Sequence, residues 1–105
     1  MVIEMLAEFS TYPVGVGASL SRHVAKAMGI LKESKLPYKV NPMGTVVEGE
    51  WDEVMDVIKR CHMAMFEEGE RVATYIKIDD RKGRTHALQR KIESLQELLD
   101  FELPV

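Results

Sequence analysis

The sequence predicts an α+β fold in which four short strands form one antiparallel sheet and helices cover one of its faces. Three observations favour this fold. Apolar and polar residues alternate near the start of the chain, apolar residues recur at helical spacing in later stretches, and a proline-glycine turn separates two short apolar segments. Alternation is typical of a strand with one face on a core, whereas a spacing of three to four residues is typical of an amphipathic helix.

The first strand is predicted at Val2–Ser10, where the alternation extends over the whole segment. One side of it is apolar and should face a core. The other side carries the carboxylates of Glu4 and Glu8 next to Leu6, so it is neither a clean solvent face nor a clean core face. The proline and glycines of Thr11–Gly17 then predict a loop.

A helix is expected after this loop, because Ser19 or Ser21 can cap it with a hydroxyl that accepts from free backbone N–H groups. It should run through Ser34 and end before Pro37, since the residue before a proline avoids the helical conformation. The apolar residues at helical spacing are Leu20, Val24, Ala27, Met28 and Leu31.

A β-hairpin and a second helix follow. Tyr38–Asn41 and Thr45–Glu48 are the predicted strands, and Pro42 in their turn indicates that the first of them lies at a sheet edge. The second helix is predicted at Trp51–Glu68, with Gly69 as its C-terminal cap. Its apolar stripe comprises Val54, Val57, Ile58, Cys61 and Met65.

The last strand is predicted at Arg71–Asp79, again by alternation, and a charged turn at Asp80–Arg84 separates it from a third helix at Thr85–Asp100. The order is therefore β-α-β-β-α-β-α. Two split βαβ units define a ferredoxin-like βαββαβ sandwich, here with an additional C-terminal helix. Right-handed crossovers place strands one and three in the centre of the sheet. We expect residues 1–105 to form one domain.

The sheet face away from the two main helices is predicted to be half apolar. It carries Glu4, Leu6, Glu8, Tyr75 and Lys77. The third helix could fold over this face, a second subunit could pack on it, or it could bind a ligand. Because exposed apolar patches mark interaction sites, we favour a homo-oligomer. A monomer with a solvated, salt-bridged sheet is the alternative.

Composition excludes several classes of protein. Apolar residues make up 46% and charged residues 30% of the chain, which is ordinary for a globular protein and unlike a disordered one. The formal net charge of −3 argues against a nucleic-acid partner. Neither a membrane span nor a signal peptide is indicated. Cys61 is the single cysteine, so no internal disulfide can form, and a cytoplasmic location is expected.

The motifs that carry chemistry are weak. Gly15-Val16-Gly17 precedes a helix but matches neither a phosphate-binding loop nor a dinucleotide fingerprint. His23, His62 and His86 fall on separate helices without metal spacing and are expected to be surface or half-buried residues. Cys61 lies on an apolar stripe and is expected in the core. We therefore predict no catalytic residue, no metal and no cofactor.

Three segments form a more specific pattern when taken together. They are YPVGVGASLS at Tyr12–Ser21, MGTVVEGE at Met43–Glu50 and YIKIDDR at Tyr75–Arg81. In this order and spacing they resemble the thiamine-binding, YkoF-like family of small ferredoxin-like proteins, over nearly the whole chain. The resemblance implies assembly into dimers and tetramers through sheet faces and binding of thiamine or its hydroxymethylpyrimidine part. It implies no established catalytic activity.

A thiamine site needs carboxylates near the cationic thiazolium, an aromatic or methionine side chain against the rings, and polar groups for the pyrimidine edge. In the predicted topology the Tyr12–Ser21 loop and the Met43–Thr45 turn meet at one end of the sheet. The candidate ligand-binding residues are Glu8, Tyr12, Ser19, Met43, Thr45 and Glu48.

Three other functions compete with thiamine binding. A regulatory or sensor subunit that binds another metabolite at a subunit interface is the main alternative. An enzyme is disfavoured, because acylphosphatases of this fold need an arginine in the loop after strand one, and Thr11–Ala18 contains none. An RNA-recognition module is disfavoured further, since the central strands lack exposed aromatic residues.

Overall fold

The computed structural model describes residues 4–105 and has the predicted order of elements. Strands and helices alternate as expected, and a short 3₁₀ turn at Met65–Glu67 follows the second helix. The elements are β1 (Met5–Pro13), α1 (Ser21–Ser34), β2 (Tyr38–Asn41), β3 (Gly44–Gly49), α2 (Trp51–Ala64), β4 (Val72–Asp79) and α3 (Ala87–Glu97).

The four strands form one antiparallel sheet in the order β2-β3-β1-β4. This confirms the ferredoxin-like fold, with strands one and three in the centre. The first hairpin strand lies at an edge, as Pro42 indicated, because the proline at the turn needs no ladder partner. Alternate side chains of β1 face α1 and α2, and the others face the opposite side of the sheet.

The first strand lies further along the chain than predicted. It runs to Pro13, so the prediction of a loop from Thr11 is wrong for its first three residues. Thr11 and Pro13 continue the alternation and are buried, and the pairing with β4 extends to Pro13 opposite Val72. Val2 and Ile3, which the prediction placed in this strand, lie outside the described residues.

The predicted helix ends also need correction. Leu20 is the residue that precedes α1, and within the described chain its start has no side-chain cap, so neither Ser19 nor Ser21 caps it. The helix α2 ends at Ala64 and tightens into a 3₁₀ turn before Gly69. Gly69 is therefore not its cap. A Cβ atom at Gly69 would lie 3.1 Å from Val16 Cγ1, so a side chain there would require Val16 to shift by a few tenths of an ångström.

The core lies between the sheet and the two long helices. It contains the predicted stripe of α2, alternate residues of β1, and residues of α1 and β3: Met5, Ala7, Phe9, Ala27, Leu31, Val47, Val54, Val57, Ile58, Cys61 and Met65. His23 was expected at the surface or half-buried, but it is only 3% exposed. It occupies the position on α1 that faces the neighbouring elements, whereas Val24 is exposed.

The third helix is shorter than predicted and starts over the sheet face that α1 and α2 leave uncovered. His86, with φ 60, turns the chain into it. The Glu48 carboxylate accepts the Leu88 N–H at 2.8 Å, and Glu4 accepts the His86 N–H at 3.2 Å. Asp79 binds Lys91 near the middle of the helix. The uncovered face is therefore partly closed by the chain's own helix.

Leu31 tests this description of the core. It is 0% exposed and packs between α1 and the sheet, so Leu31→Ala should leave a cavity and lower the free energy of unfolding by about 2–5 kcal/mol. Leu98→Ala, at a site that is 83% exposed, is the matched control and should change it by less than about 0.5 kcal/mol. Urea denaturation measures both, and equal losses would contradict the assignment.

Candidate functional site

The two edges of β1 are paired over different lengths. Its pairing with β3 ends at Phe9 opposite Thr45, whereas its pairing with β4 continues to Pro13. In the described part of the chain, the stretch Ser10–Tyr12 therefore has a strand partner on one side only. Successive residues of a strand direct their backbone N–H and C=O groups to opposite edges, so this free edge offers both a donor and an acceptor.

A groove of about 700 Å³ lies beside this free edge. The first turns of α1 form a second wall, and the β2–β3 turn forms a third. We call it the hairpin groove. Its lining residues are Phe9, Ser10, Thr11, Tyr12, Leu20, Ser21, Val24, Ala25, Ala27, Met28, Val40, Asn41, Pro42, Met43, Gly44, Thr45 and Tyr75. None of these, all within the described range 4–105, carries a formal charge at neutral pH.

Two tyrosines from neighbouring strands stack at the groove. The ring centroids of Tyr12 and Tyr75 are 6.4 Å apart and the planes make an angle of 22°. Tyr75 raises the pKa of Tyr12 above its usual value, through side-chain hydrogen bonding first and its charge second, so Tyr12 stays neutral at physiological pH. The pair offers an aromatic surface to a flat ligand.

Methionines and polar side chains form other parts of the groove lining. Met43 in the hairpin turn is 91% exposed and can adjust over a ligand, while Met28 contributes from α1. Asn41 brings an amide that both donates and accepts hydrogen bonds.

A hydrogen-bonded chain leads away from the groove. The hydroxyl oxygens of Thr11 and Thr74 are 2.6 Å apart, and Thr74 Oγ1 is also 2.6 Å from His62 Nδ1. The chain crosses from β1 to β4 and then to α2. Thr11 thus links the groove to a titratable side chain that does not line it.

The structure brings three of the six predicted site residues together. Tyr12, Met43 and Thr45 all line the hairpin groove. Ser19 lies exposed in the loop before α1, where its neighbours Leu20 and Ser21 line the groove instead.

The two predicted carboxylates lie outside the groove. Glu8 is exposed on β1, on the same sheet face as Lys77 of β4. A Cβ atom added to Gly44, which lines the groove, would lie 3.6 Å from Glu8 Cγ. Glu48 is 3% exposed and holds the start of α3. It is three residues beyond Thr45, or roughly 10 Å along β3.

The sequence patterns did not predict several residues that line the groove, chiefly Tyr75, Asn41 and Met28. Tyr75 sits opposite Ser10 in the β1–β4 register. A predicted register for these two strands would have found it. Asn41 precedes the turn that contains Pro42 and Met43, and its place at the groove follows from the hairpin. Met28 had been assigned to the core stripe of α1.

The other reactive side chains of the described residues carry no sign of a reaction centre. No group of three or more histidine, cysteine, aspartate or glutamate residues within 4–105 has a geometry that could hold a metal ion. Burial raises the pKa of the Cys61 thiol to about 11, so this thiol stays protonated near neutral pH. None of the described helices is long and apolar enough to cross a membrane.

The fold and the groove together define a small ferredoxin-like protein with a neutral pocket at one end of its sheet. Sequence comparison identifies the family within this class. A profile described as "Thiamine-binding protein" matches residues 7–96, and the chain belongs to this family.

Relatives in several organisms match along almost their whole length. The UPF0045 protein MJ1052 of Methanocaldococcus jannaschii is 38% identical over 95 residues, which cover 90% of this chain and 95% of that protein. The UPF0045 protein YqgV of Bacillus subtilis is 39% identical over 100 residues, with 90% and 96% covered.

Solved structures agree with the fold. The crystal structure of MJ1052 superposes with a TM-score of 0.83 at 37% identity, covering 90% of this chain and 97% of that one. A putative thiamine biosynthesis/salvage protein of Thermotoga maritima superposes with a TM-score of 0.75 over 88% and 98% of the two chains. At 22% identity this second likeness shows the fold alone.

Proposed function

We propose that this protein binds thiamine or its hydroxymethylpyrimidine part in the hairpin groove, without catalysing a reaction. The observation that carries the proposal is the groove itself, whose volume of about 700 Å³ lies within the usual range for small-molecule sites. Its neutral lining, stacked tyrosines and free strand edge suit a flat, polar-edged ring. Membership of the thiamine-binding family supports the choice of ligand.

The aminopyrimidine ring of thiamine presents alternating donors and acceptors on its edge. The unpaired backbone edge at Ser10–Tyr12 and the Asn41 amide can match that alternation. The flat faces of the ring would pack against Tyr12 and Met43. Thr45, which is 5% exposed at the floor of the groove, adds a hydroxyl.

The cationic thiazolium would lie toward the mouth of the groove. There it meets the tyrosine faces, which attract cations, and the exposed carboxylate of Glu8. In this arrangement Ser19 contacts the ligand only through a shift of its loop. Glu48 does not contact the ligand in this arrangement, since its carboxylate accepts the Leu88 N–H at the start of α3.

A regulatory or sensor subunit is the second candidate. It is favoured by Tyr75, which lines the groove and also stands 65% exposed on the uncovered sheet face. A ligand against Tyr75 would therefore touch a surface available to another subunit. We propose that this face, together with exposed Leu95 of α3, joins copies of the chain into dimers and dimers of dimers. We also propose that residues 1–105 form one domain and that the protein is cytoplasmic, which Cys61 supports because a single cysteine forms no internal disulfide.

Calorimetric titration tests the ligand. Thiamine and hydroxymethylpyrimidine should each bind the wild-type protein, and Tyr12→Ala should weaken both about tenfold because it removes the stacking surface. Tyr38→Ala removes a tyrosine of β2 that does not line the groove, and it should leave both affinities unchanged. Absence of heat and of any melting shift with either compound would refute the proposal.

A pair of charge-neutralising variants tests the role of the carboxylates. Glu8→Gln should weaken thiamine about two- to fivefold and leave the neutral hydroxymethylpyrimidine almost unaffected, because only the first carries the thiazolium charge. Glu48→Gln, the matched control, should affect the two ligands equally. The proposal fails if Glu48→Gln discriminates between the ligands and Glu8→Gln does not, as measured by calorimetric dissociation constants.

Sedimentation analysis of protein purified from its own host tests assembly. We expect a mass that is two or four times the 11.9 kDa of one chain. A mass of one chain at every concentration would contradict the oligomer. A stoichiometric second protein in the complex would favour the sensor subunit over the plain binding protein.

A further inference from the structure

We propose that His62 and Thr74 determine, through Thr11, whether the hairpin groove offers its ligand a hydrogen-bond donor or an acceptor. This inference deepens the proposed function and rests on it. His62 and Thr74 are positioning residues, since neither lines the groove and both act on the ligand only through Thr11.

The geometry leaves each hydroxyl few choices. Thr11 lines the groove and is 8% exposed, and Thr74 is the hydrogen-bond partner that its hydroxyl has within the described residues. Thr74 Oγ1 lies 2.6 Å from both Thr11 Oγ1 and His62 Nδ1, so it sits between two partners with a single proton of its own. One hydroxyl proton can serve only one of those two contacts.

The ring proton of His62 therefore sets the direction of the whole chain. When Nδ1 is bare, Thr74 donates to it, Thr11 donates to Thr74, and Thr11 presents a lone pair to the groove. When Nδ1 carries a proton, it donates to Thr74, Thr74 donates to Thr11, and the Thr11 proton is free to point into the groove. In the arrangement that we propose, neutral His62 carries its proton on Nε2 and leaves Nδ1 bare.

Uptake of a second proton by His62 must then reverse the chain, because both ring nitrogens of an imidazolium are donors. Phe66 lies edge-on to the ring, with the centroids 5.4 Å apart. The charged residues of α2 and its 3₁₀ extension within five positions of His62 are Lys59, Arg60 and Glu67, and Lys26 of α1 binds Glu67. The β1 and β4 side chains on this face of the sheet are uncharged: Phe9, Thr11, Pro13, Val72, Thr74 and Ile76.

The exocyclic group of a bound pyrimidine would respond to the direction of the Thr11 hydrogen bond. An amino group donates to a Thr11 lone pair, whereas an oxo group accepts from a Thr11 proton. Neutral His62 should thus favour an aminopyrimidine, and protonated His62 an oxopyrimidine. One such hydrogen bond corresponds to a change of about fivefold in the ratio of the two affinities.

The experiment measures dissociation constants for hydroxymethylpyrimidine and for the analogue in which an oxo group replaces the amino group, from about pH 8 to pH 5, where histidines change charge. In the wild type, the preference for the amino compound should fall about fivefold as the pH is lowered, beyond the change seen in Thr74→Val. Thr74→Val breaks the chain but keeps the ligand's own titration and the other histidines, so its profile is the baseline. His62→Phe should follow that baseline, and Thr74→Ser should follow the wild type.

The outcomes separate the two proposals. If the wild type binds neither pyrimidine, the proposed function fails. If it binds them but its pH profile of the affinity ratio matches that of Thr74→Val, the function stands and the present inference is overturned. Should Thr74→Val unfold in the melting assay, His62→Phe supplies the baseline in its place.

Discussion

The central strand β1 is paired along both edges for only part of its length. The candidate site depends on this difference in length between its pairing with β3 and its pairing with β4. Up to Phe9 it is held between β3 and β4, and beyond Phe9 only β4 continues. The pairing with β3 is shorter because of the hairpin, in which Pro42 and Met43 reverse the chain just before Thr45, the partner of Phe9. A strand edge next to a groove keeps its backbone groups available, which a fully paired strand does not.

A second constraint comes from α3, which is attached largely through polar contacts. Glu48 and Glu4 accept backbone N–H groups at its start, where negative charge is favoured by the helix dipole. Hydrogen bonds from Lys91, and then from Arg84, lower the pKa of Asp79 below its usual value. Their contribution to stability is therefore present above the ordinary aspartate pKa and is lost as the pH falls through the lowered one. Such a helix covers part of the sheet and leaves most of its own leucines outside the core.

Local patterns predicted the elements well, and their ends less well. The stripe of α2 and the alternation of β4 were enough to place Val54 or Tyr75 on the correct side. The end of β1 was misread because Pro13 suggests a loop, although a proline is tolerated where the strand ends. The burial of His23 and the use of Glu48 under α3 depend on contacts between distant segments, and no pattern within one segment records them.

The same limit explains why only three of the six predicted residues line the hairpin groove. Tyr12, Met43 and Thr45 lie in segments whose meeting follows from the strand order, so the topology alone brings them together. The position of Glu48 could not be predicted in this way. Its carboxylate accepts a backbone N–H of the third helix, and this long-range contact holds it outside the groove.

A groove without charge is compatible with a cationic ligand because of where the charge would lie. Burying the thiazolium in a dry pocket would cost more free energy than one carboxylate returns, since both ions must lose water. With the neutral pyrimidine inside and the thiazolium at the mouth, Glu8 and the cation both stay hydrated. In the proposed complex, charge would add modestly to affinity, and the hydrogen-bonding edge of the pyrimidine would carry the specificity. That division would place selectivity on Thr11, Asn41 and the free edge of β1, the part of the molecule that the short β3 leaves open.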